Sequence, residues 1–484
     1  MKTANLAPRS AVIPPRADML QLAEVVNALS AALDMTDGQP VGHSARCCWI
    51  GMHIGERIGL DAAELHDLYY MLFLKDLGCS SNAARICQLY VTNDHDFKRN
   101  SKLMDHSLGQ VLHFVATNTA VKSGLATKLK TILNIARSAG NITRDLIETR
   151  CERGAEIART MRFPESIARG ILDLDEHWDG RGHPLGRKET DISQLARIAL
   201  LAQVIDVFHI TSGREAAVNE IRRRAGTWFD PQLVALFEIL ASDLTFWAVL
   251  EGPDIEAQVF ALEPAANRTP LDDDLLDDIA DGFAQVVDAK SPFTSGHSKR
   301  VALYSDMIAG ELGMEATRKR WLVRGALLHD IGKLGISNEI LDKAGKLDEE
   351  EWRAMKNHPV LGEHILSKID AFSGIASIAM NHHEKLNGKG YPHGIGADEL
   401  DLETRIVTVA DIFDALSADR PYRAAMPTSR ALSIMKEEVG TALDIDCFDA
   451  LASAIGRLES AKESAQDTGS EEQTETSAQR SAAL

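Results

Sequence analysis

The sequence predicts an all-α fold made of two tandem helical copies, the first of them degenerate. Three observations carry this. Aromatic residues are only 5% of the chain against 45% apolar residues overall, and an interior rich in Ala, Leu and Ile packs as helices more readily than as sandwiches or barrels. Apolar residues recur at spacings of three and four along most of the length. Finally, the two halves can be laid on one another through Gly-His-Ser at 42–44 and 296–298.

The overlay runs in three ungapped blocks. His43 to Lys75 and His297 to His329 are both 32 positions; Gly154 to Leu174 and Gly362 to His382 are both 20; Asp175 to Gln203 and His383 to Asp411 are both 28. Asp-Gly-Arg-Gly-His-Pro at 179–184 falls on Asn-Gly-Lys-Gly-Tyr-Pro at 387–392. The main difference in length is an insertion of roughly 46 residues in the first half, between Cys79 and Arg150. Such agreement in order and spacing is hard to reach by chance.

Taken in order, residues 1–18 hold three prolines and little periodicity, and are expected to be a flexible arm. The first helical domain is expected over 19–262, with Leu20, Val25, Leu29 and Leu33 near one face, His43 just inside a helix start, and an apolar helix through Leu68–Phe73. Its insertion, about 80–149, is polar with a helical middle where Leu125, Leu129, Ile132 and Leu133 recur at helical spacing. Two prolines and an acidic cluster mark 263–276 as a linker, with Asp272–Asp274 a solvated helix start rather than a calcium loop. The second domain is expected over 277–460. There Thr294 or Ser295 caps a helix whose buried stripe is Val301, Tyr304, Ile308 and Leu312. From 461 to 484 almost no large apolar residue remains, and the tail is expected to be disordered.

Bulk properties narrow the function. A net charge of -19 argues against a nucleic-acid polymer as partner, because counterion release needs basic surface. The six cysteines form no CxxC pair and read as reduced thiols. The N-terminus lacks a signal-peptide core and no run of ~18 apolar residues appears, so membrane insertion is not expected and a cytoplasmic location is.

Chemistry concentrates in the second half, around Asn381–Pro392. His297, His329, Asp330, Lys333, His358, His382, His383 and Asp411 are the special positions; their first-half counterparts are His43, Lys75, Asp76, Cys79, Arg150, Leu174, Asp175 and Gln203. Only the first histidine and the aspartate beside His329 survive in both. Any one of these histidines alone would sooner be a hydrogen-bonded core residue than a ligand. Their joint presence in one copy and loss from the other is what shared packing needs cannot explain. Several imidazoles with carboxylates suit a divalent metal, and two cations close together would activate a water near neutral pH and clamp a phosphodiester. Lys333, one helical turn past His329 if that helix continues, could meet a phosphate oxygen. Gly388, Gly390 and Pro392 persist in both copies and serve the turn, with Tyr391 a packing aromatic; Asp414 and Asp419 read as structural, and His364 and His393 as surface residues.

At these residues the second half, over about 280–455, resembles the HD-GYP family of phosphodiesterases. His329-Asp330-Ile331-Gly332-Lys333 matches its first motif, and His382-His383-Glu384 through Gly390-Tyr391-Pro392 its second, with His358-Pro359 and the Arg405–Arg423 segment also similar. The resemblance implies two tandem HD-type domains, the first degenerate and regulatory, and a centre of two or three Fe or Mn ions. It assigns metal ligation to His297, His329, Asp330, His358, His382, His383 and Asp411. Lys333 would contact the phosphate, and Arg423 is a further substrate candidate. Ser291 and Asp288 depart from the family's third-metal pattern, which makes a binuclear centre the firmer expectation. The implied activity is hydrolysis of cyclic di-GMP to the linear dinucleotide or to GMP. The competing readings are a signalling adaptor that binds nucleotide without turnover, and the same fold acting on another cyclic dinucleotide. The N-terminal half is expected to transmit a signal or mediate a homodimer or protein contact.

Overall fold

The computed structural model describes residues 20–104, 108–120, 124–264, 271–419 and 423–460. The expected arm, the middle of the expected linker and the expected disordered tail lie outside them. Among the described residues every regular element is a helix, and the only β features are isolated bridges such as Asn387 with Gly396.

The chain forms two compact units that cut across the two copies. The larger comprises the described residues of Pro14–Ser298 and of Leu327–Met380; the smaller comprises Lys299–Ala326 and the described residues of Asn381–Leu484.

In the larger unit the helix Ala62–Leu74 starts on a capping box. The Asp61 carboxylate accepts from Ala63 N and Glu64 N, and the Glu64 side chain accepts from Asp61 N. Its second half, Leu68 to Leu74, is buried without a break, so the helix sits in the middle of the core and delivers Lys75 and Asp76 there. The helix His43–Ile58 begins at Gly42, whose φ of 81° a side chain would resist. It is anchored by Asp34, which accepts from Ser44 N and Oγ at 3.0 and 2.6 Å. The helix Gln194–Ser212 is the one described helix long and apolar enough to cross a membrane, yet it packs on His43–Ile58 and carries Gln203 and Asp206 into the interior. It is a core helix.

The inserted residues carry a small core of their own, made of Ile86, Tyr90, Phe97, Phe114 and Ile135. One expectation changes here. The helix Leu125–Thr160 forms where apolar spacing predicts it, but Leu129 and Leu133 are 68% and 52% exposed. Ile135 and Ile142 face inward instead, so the spacing found the helix and not its buried face.

In the smaller unit, Asp401 caps the helix Leu402–Ser417 by accepting from Thr404 N. Arg318 clamps its start through Glu403, and Arg300 reaches Asp414 near its end. Asp414 is thus structural, as its sequence position suggests, and Asp419 accepts from Ala425 N.

Candidate metal centre

Asp330 is the hub of the candidate ligand cluster in the larger unit. The helix Ala316–Leu328 stops just before His329, and a tight 3₁₀ turn, Ile331–Gly335, follows. The α-helix therefore does not continue to Lys333, so the condition for placing it one helical turn past His329 is not met. The turn is forced by close packing: a Cβ on Gly332 would overlap the carbonyl of His358, and the tighter turn folds Lys333 back so that its Nζ donates to Asp330.

Three imidazoles surround that carboxylate. His297 Nε2 and His329 Nε2 each lie 3.3 Å from Asp330 Oδ2, and His358 Nε2 lies 3.4 Å from Oδ1, with all four side chains at most 1% exposed. Ligands about 2.0–2.2 Å from one tetrahedral cation stand roughly 3.3 Å from each other. The donor set therefore fits a divalent metal, and one ligand atom from each of His297, His329 and Asp330 lies within 4.8 Å of the others. His358 is also oriented for the task. Its Nδ1 donates to the Met355 carbonyl at 2.8 Å, and because a carbonyl can only accept, the neutral ring keeps its lone pair on Nε2. Burial opposes charge on Asp330, but Lys333, His329 and His297 hold its carboxyl well below the usual range, so it stays an anion.

The smaller unit carries His382, His383 and Asp411. His382 is buried and His383 partly exposed, their rings 4.0 Å apart; His383 Nδ1 lies 3.9 Å from Asp411 Oδ2. Tyr391 packs its ring 4.7 Å from that of His383, so the aromatic of the turn props up a candidate ligand. The Oε1 of Glu384 accepts from His393 N and Gly394 N at 2.7 and 2.9 Å and closes the turn. Arg423 donates to the carbonyls of Leu416 and Ala415, at the end of the helix that bears Asp411.

Two positioning residues escaped the sequence reading. Thr408 donates its hydroxyl to the His382 carbonyl at 2.8 Å and so pins the histidine pair to the helix of Asp411. Its counterpart in the first copy is Leu200, a difference the overlay of the halves could have exposed. The second is Asp288, whose carboxylate accepts from Ser298 N and Oγ. It secures the start of the helix bearing His297, a job expected of Thr294 or Ser295. The Thr294 hydroxyl instead donates to the carbonyls of Asp288 and Ser291. Asp34 does the same for Ser44 in the first copy, which gives Asp288 a structural role shared by both copies.

In the first copy the scaffold persists and the chemistry is gone. Gly78 approaches the Arg150 carbonyl as Gly332 approaches His358, and His183-Pro184 is cis like Tyr391-Pro392. Glu176 accepts from Leu185 N as Glu384 does from His393 N, and Arg46 pairs with Asp206 as Arg300 does with Asp414. Where the metal ligands would be, cations stand: Lys75 is on Asp76, Arg150 on Asp175, and Lys102 on Asp37. His43 and Cys47 with Asp206 lie close enough to share an ion, as do Asp37, His43 and Asp76, but Lys75, Lys102 and Arg46 already neutralise those carboxylates. His43 turns to Asp206, 2.6 Å from its Nδ1. Burial works against its protonation, yet Cys47 and Asp206 beside it carry its pKa up to about 9.

An all-helical scaffold that gathers imidazoles around one buried aspartate defines a metal-dependent phosphohydrolase of the HD type. An HD domain family model matches residues 103–233 and 282–447, one stretch in each copy. The chain is 52% identical over 437 residues to a 3'3'-cGAMP-specific phosphodiesterase 3 of Vibrio cholerae, covering 90% of this chain and 95% of that one. It is 38% identical over 179 residues to a cyclic di-GMP phosphodiesterase response regulator of Xanthomonas campestris, covering 37% of this chain and 47% of that one. Among solved structures, that of a cyclic GMP-AMP specific phosphodiesterase of V. cholerae superimposes with a TM-score of 0.62 at 48% identity, over 90% of this chain and 98% of that one. The chain belongs to the HD-GYP family of phosphodiesterases, with a degenerate HD domain preceding the one that bears the motifs.

Proposed function

We propose that the chain is a metal-dependent phosphodiesterase acting on 3'3'-cyclic GMP-AMP, which it opens to a linear dinucleotide. The observation that carries the reading is the shell of His297, His329 and His358 around Asp330, set in a chain whose 52% identity to a 3'3'-cGAMP-specific enzyme spans both copies. That extent is what moves the substrate away from cyclic di-GMP, the expectation from sequence. The cyclic di-GMP relative of X. campestris matches only 37% of the chain.

In this reading His297, His329, Asp330, His358, His382, His383 and Asp411 are the metal ligands, with Fe or Mn the ions they suit. Bound divalent cations would supply an activated water and neutralise phosphodiester charge. Lys333 balances Asp330 and is the group to meet a non-bridging phosphate oxygen as charge grows there. Arg423 remains a substrate candidate, with its observed role at the end of the Asp411 helix. Thr408 and Tyr391 hold the histidine pair in place.

The test is hydrolysis of 3'3'-cyclic GMP-AMP and cyclic di-GMP side by side by the full chain loaded with Mn or Fe(II) under reducing conditions. Faster turnover of the mixed dinucleotide is expected. Equal or faster turnover of cyclic di-GMP overturns the substrate assignment, and no product above an Asp330→Ala control overturns the enzyme.

A further inference from the structure

The first copy lost its metal ligands but kept a cavity of about 680 Å³, inside the range of about 300–1,000 Å³ typical of small-molecule sites. Cys79, Arg150, Asp175 and Gln203 line it. These are the first-copy counterparts of Lys333, His358, His383 and Asp411, so the cavity occupies the place of an active site in a copy that performs no chemistry.

Its lining is both cationic and apolar. Among the described residues, Lys98, Lys102, Arg150, Arg181, Arg223 and Arg224 face it against only Asp37 and Asp175, whereas acidic residues outnumber basic ones by 71 to 52 in the whole chain. Several of these cations have carboxylate partners, Glu220 for Arg223 and Arg224 and Asp179 for Arg181, but those carboxylates are not part of the cavity wall. Tyr90, Phe97 and Phe114 of the insertion's core also line it, their rings tilted and edge-on to one another with centroids 4.3 and 4.9 Å apart in sequence. A lining that combines several cations with aromatic and apolar side chains suits a molecule carrying both phosphate charge and apolar rings.

We infer that this cavity is a metal-free binding site for a cyclic dinucleotide, an effector site built from the relic of an active site. The inference rests on the proposed substrate class, since the effector would be the substrate's own kind. Bound phosphates would take Arg150 from Asp175 and Lys102 from Asp37. Occupancy has a route to the catalytic copy inside the same compact unit. The helix Asp94–Ser101 turns Lys98 and Ser101 toward the cavity, and its first residue, buried Asp94, accepts from Ser337 Oγ and Asn338 N, both at 2.9 Å. Those groups follow directly on the turn that sets Lys333 against Asp330. A ligand that draws on Lys98 and Lys102 pulls on the helix that holds this segment.

The experiment uses the full chain with Asp330→Ala, stripped with EDTA so that nothing turns over. Calorimetric titration with 3'3'-cyclic GMP-AMP and with cyclic di-GMP should show one bound molecule per chain for at least one of them, weakening as salt rises. Adding Lys102→Gln and Arg150→Gln should weaken it by about tenfold or more. If that pair melts early, Arg181→Gln with Arg223→Gln decides, because those side chains are 75% and 50% exposed and safe to change. Hydrogen exchange over residues 331–338 should slow on binding, and binding without that protection overturns the route. The site itself is overturned by no binding of either nucleotide, or by binding that the cavity variants leave unchanged and His382→Ala with His383→Ala abolish. Turnover by the metal-loaded wild-type chain is measured separately, so loss of the proposed activity and loss of this site are distinct results.

Discussion

Asp330 and Asp76 are counterparts, both buried and both held by a nearby lysine, yet they do different work. Around Asp330 stand three imidazoles, and its lysine comes from one turn later and is 16% exposed at the side chain. Beside Asp76, the position of His329 is taken by Lys75, which is fully buried. An imidazole is neutral and can bind a cation; an ammonium already is one. A lysine at the position of His329 therefore puts an internal ion pair where the second copy has a candidate ligand, while the close approach at Gly78 and the Asp34 anchor of the His43 helix persist.

The largest effect expected from breaking this contrast is on turnover. Asp330→Ala should lower hydrolysis by about 10³-fold or more and reduce bound metal, since the hub carboxylate is lost. Gln203→Ala, at the counterpart of Asp411, should leave bound metal unchanged by elemental analysis. Equal metal loss in both would mean that the first copy also binds ions.

Next comes stability. Asp76→Asn leaves Lys75 as an uncompensated buried charge, which costs about 3–5 kcal/mol; urea unfolding of the full chain is the measurement. Asp330→Asn in metal-free protein should cost less, because Lys333 can turn toward solvent. A smaller loss for Asp76→Asn than for Asp330→Asn would contradict the ion-pair account.

How much of this was legible from residues alone follows from the kind of interaction involved. The helical class, the duplication and the motif residues could be read because periodicity and spacing are properties of sequence. Thr408 could not be read directly: a threonine in a helix usually bonds its own turn, and only its second contact, to the His382 carbonyl, shows its task. The 3₁₀ turn at Ile331–Gly335 depends on how close the His358 backbone comes, a tertiary fact with no local signal. Likewise the exposed Leu129 and Leu133 obey helical spacing, because spacing reports a face and not what covers it.

A smaller, pH-dependent effect separates the two first histidines. His43, with its pKa raised to about 9 from 6.5, favours the folded state fully below pH 6.5. That contribution fades as pH rises through 9, amounting to at most about 3 kcal/mol. In EDTA-treated protein, melting temperature should fall between pH 6.5 and 9, and His43→Gln should flatten the slope. An unchanged slope in the variant would remove His43 from the account.

The smallest expected effect tests whether a shared scaffold places unlike chemistry. A Cβ at Gly332 meets the His358 carbonyl and one at Gly78 meets the Arg150 carbonyl. Gly332→Ala and Gly78→Ala should therefore each cost about 1–3 kcal/mol, because the backbone must shift to make room. Their consequences should differ. In the second copy the displaced carbonyl belongs to a candidate ligand whose Nε2 stands 3.4 Å from Asp330, so Gly332→Ala should also weaken metal binding. In the first copy the same shift moves Arg150, and the chain should retain its metal. Melting curves and metal content, measured on both variants, resolve the point: equal destabilisation with metal loss only in Gly332→Ala is the expected pattern. Full metal retention in both would show that the glycine contact serves packing alone, and that His358 is held in place by its Met355 hydrogen bond instead.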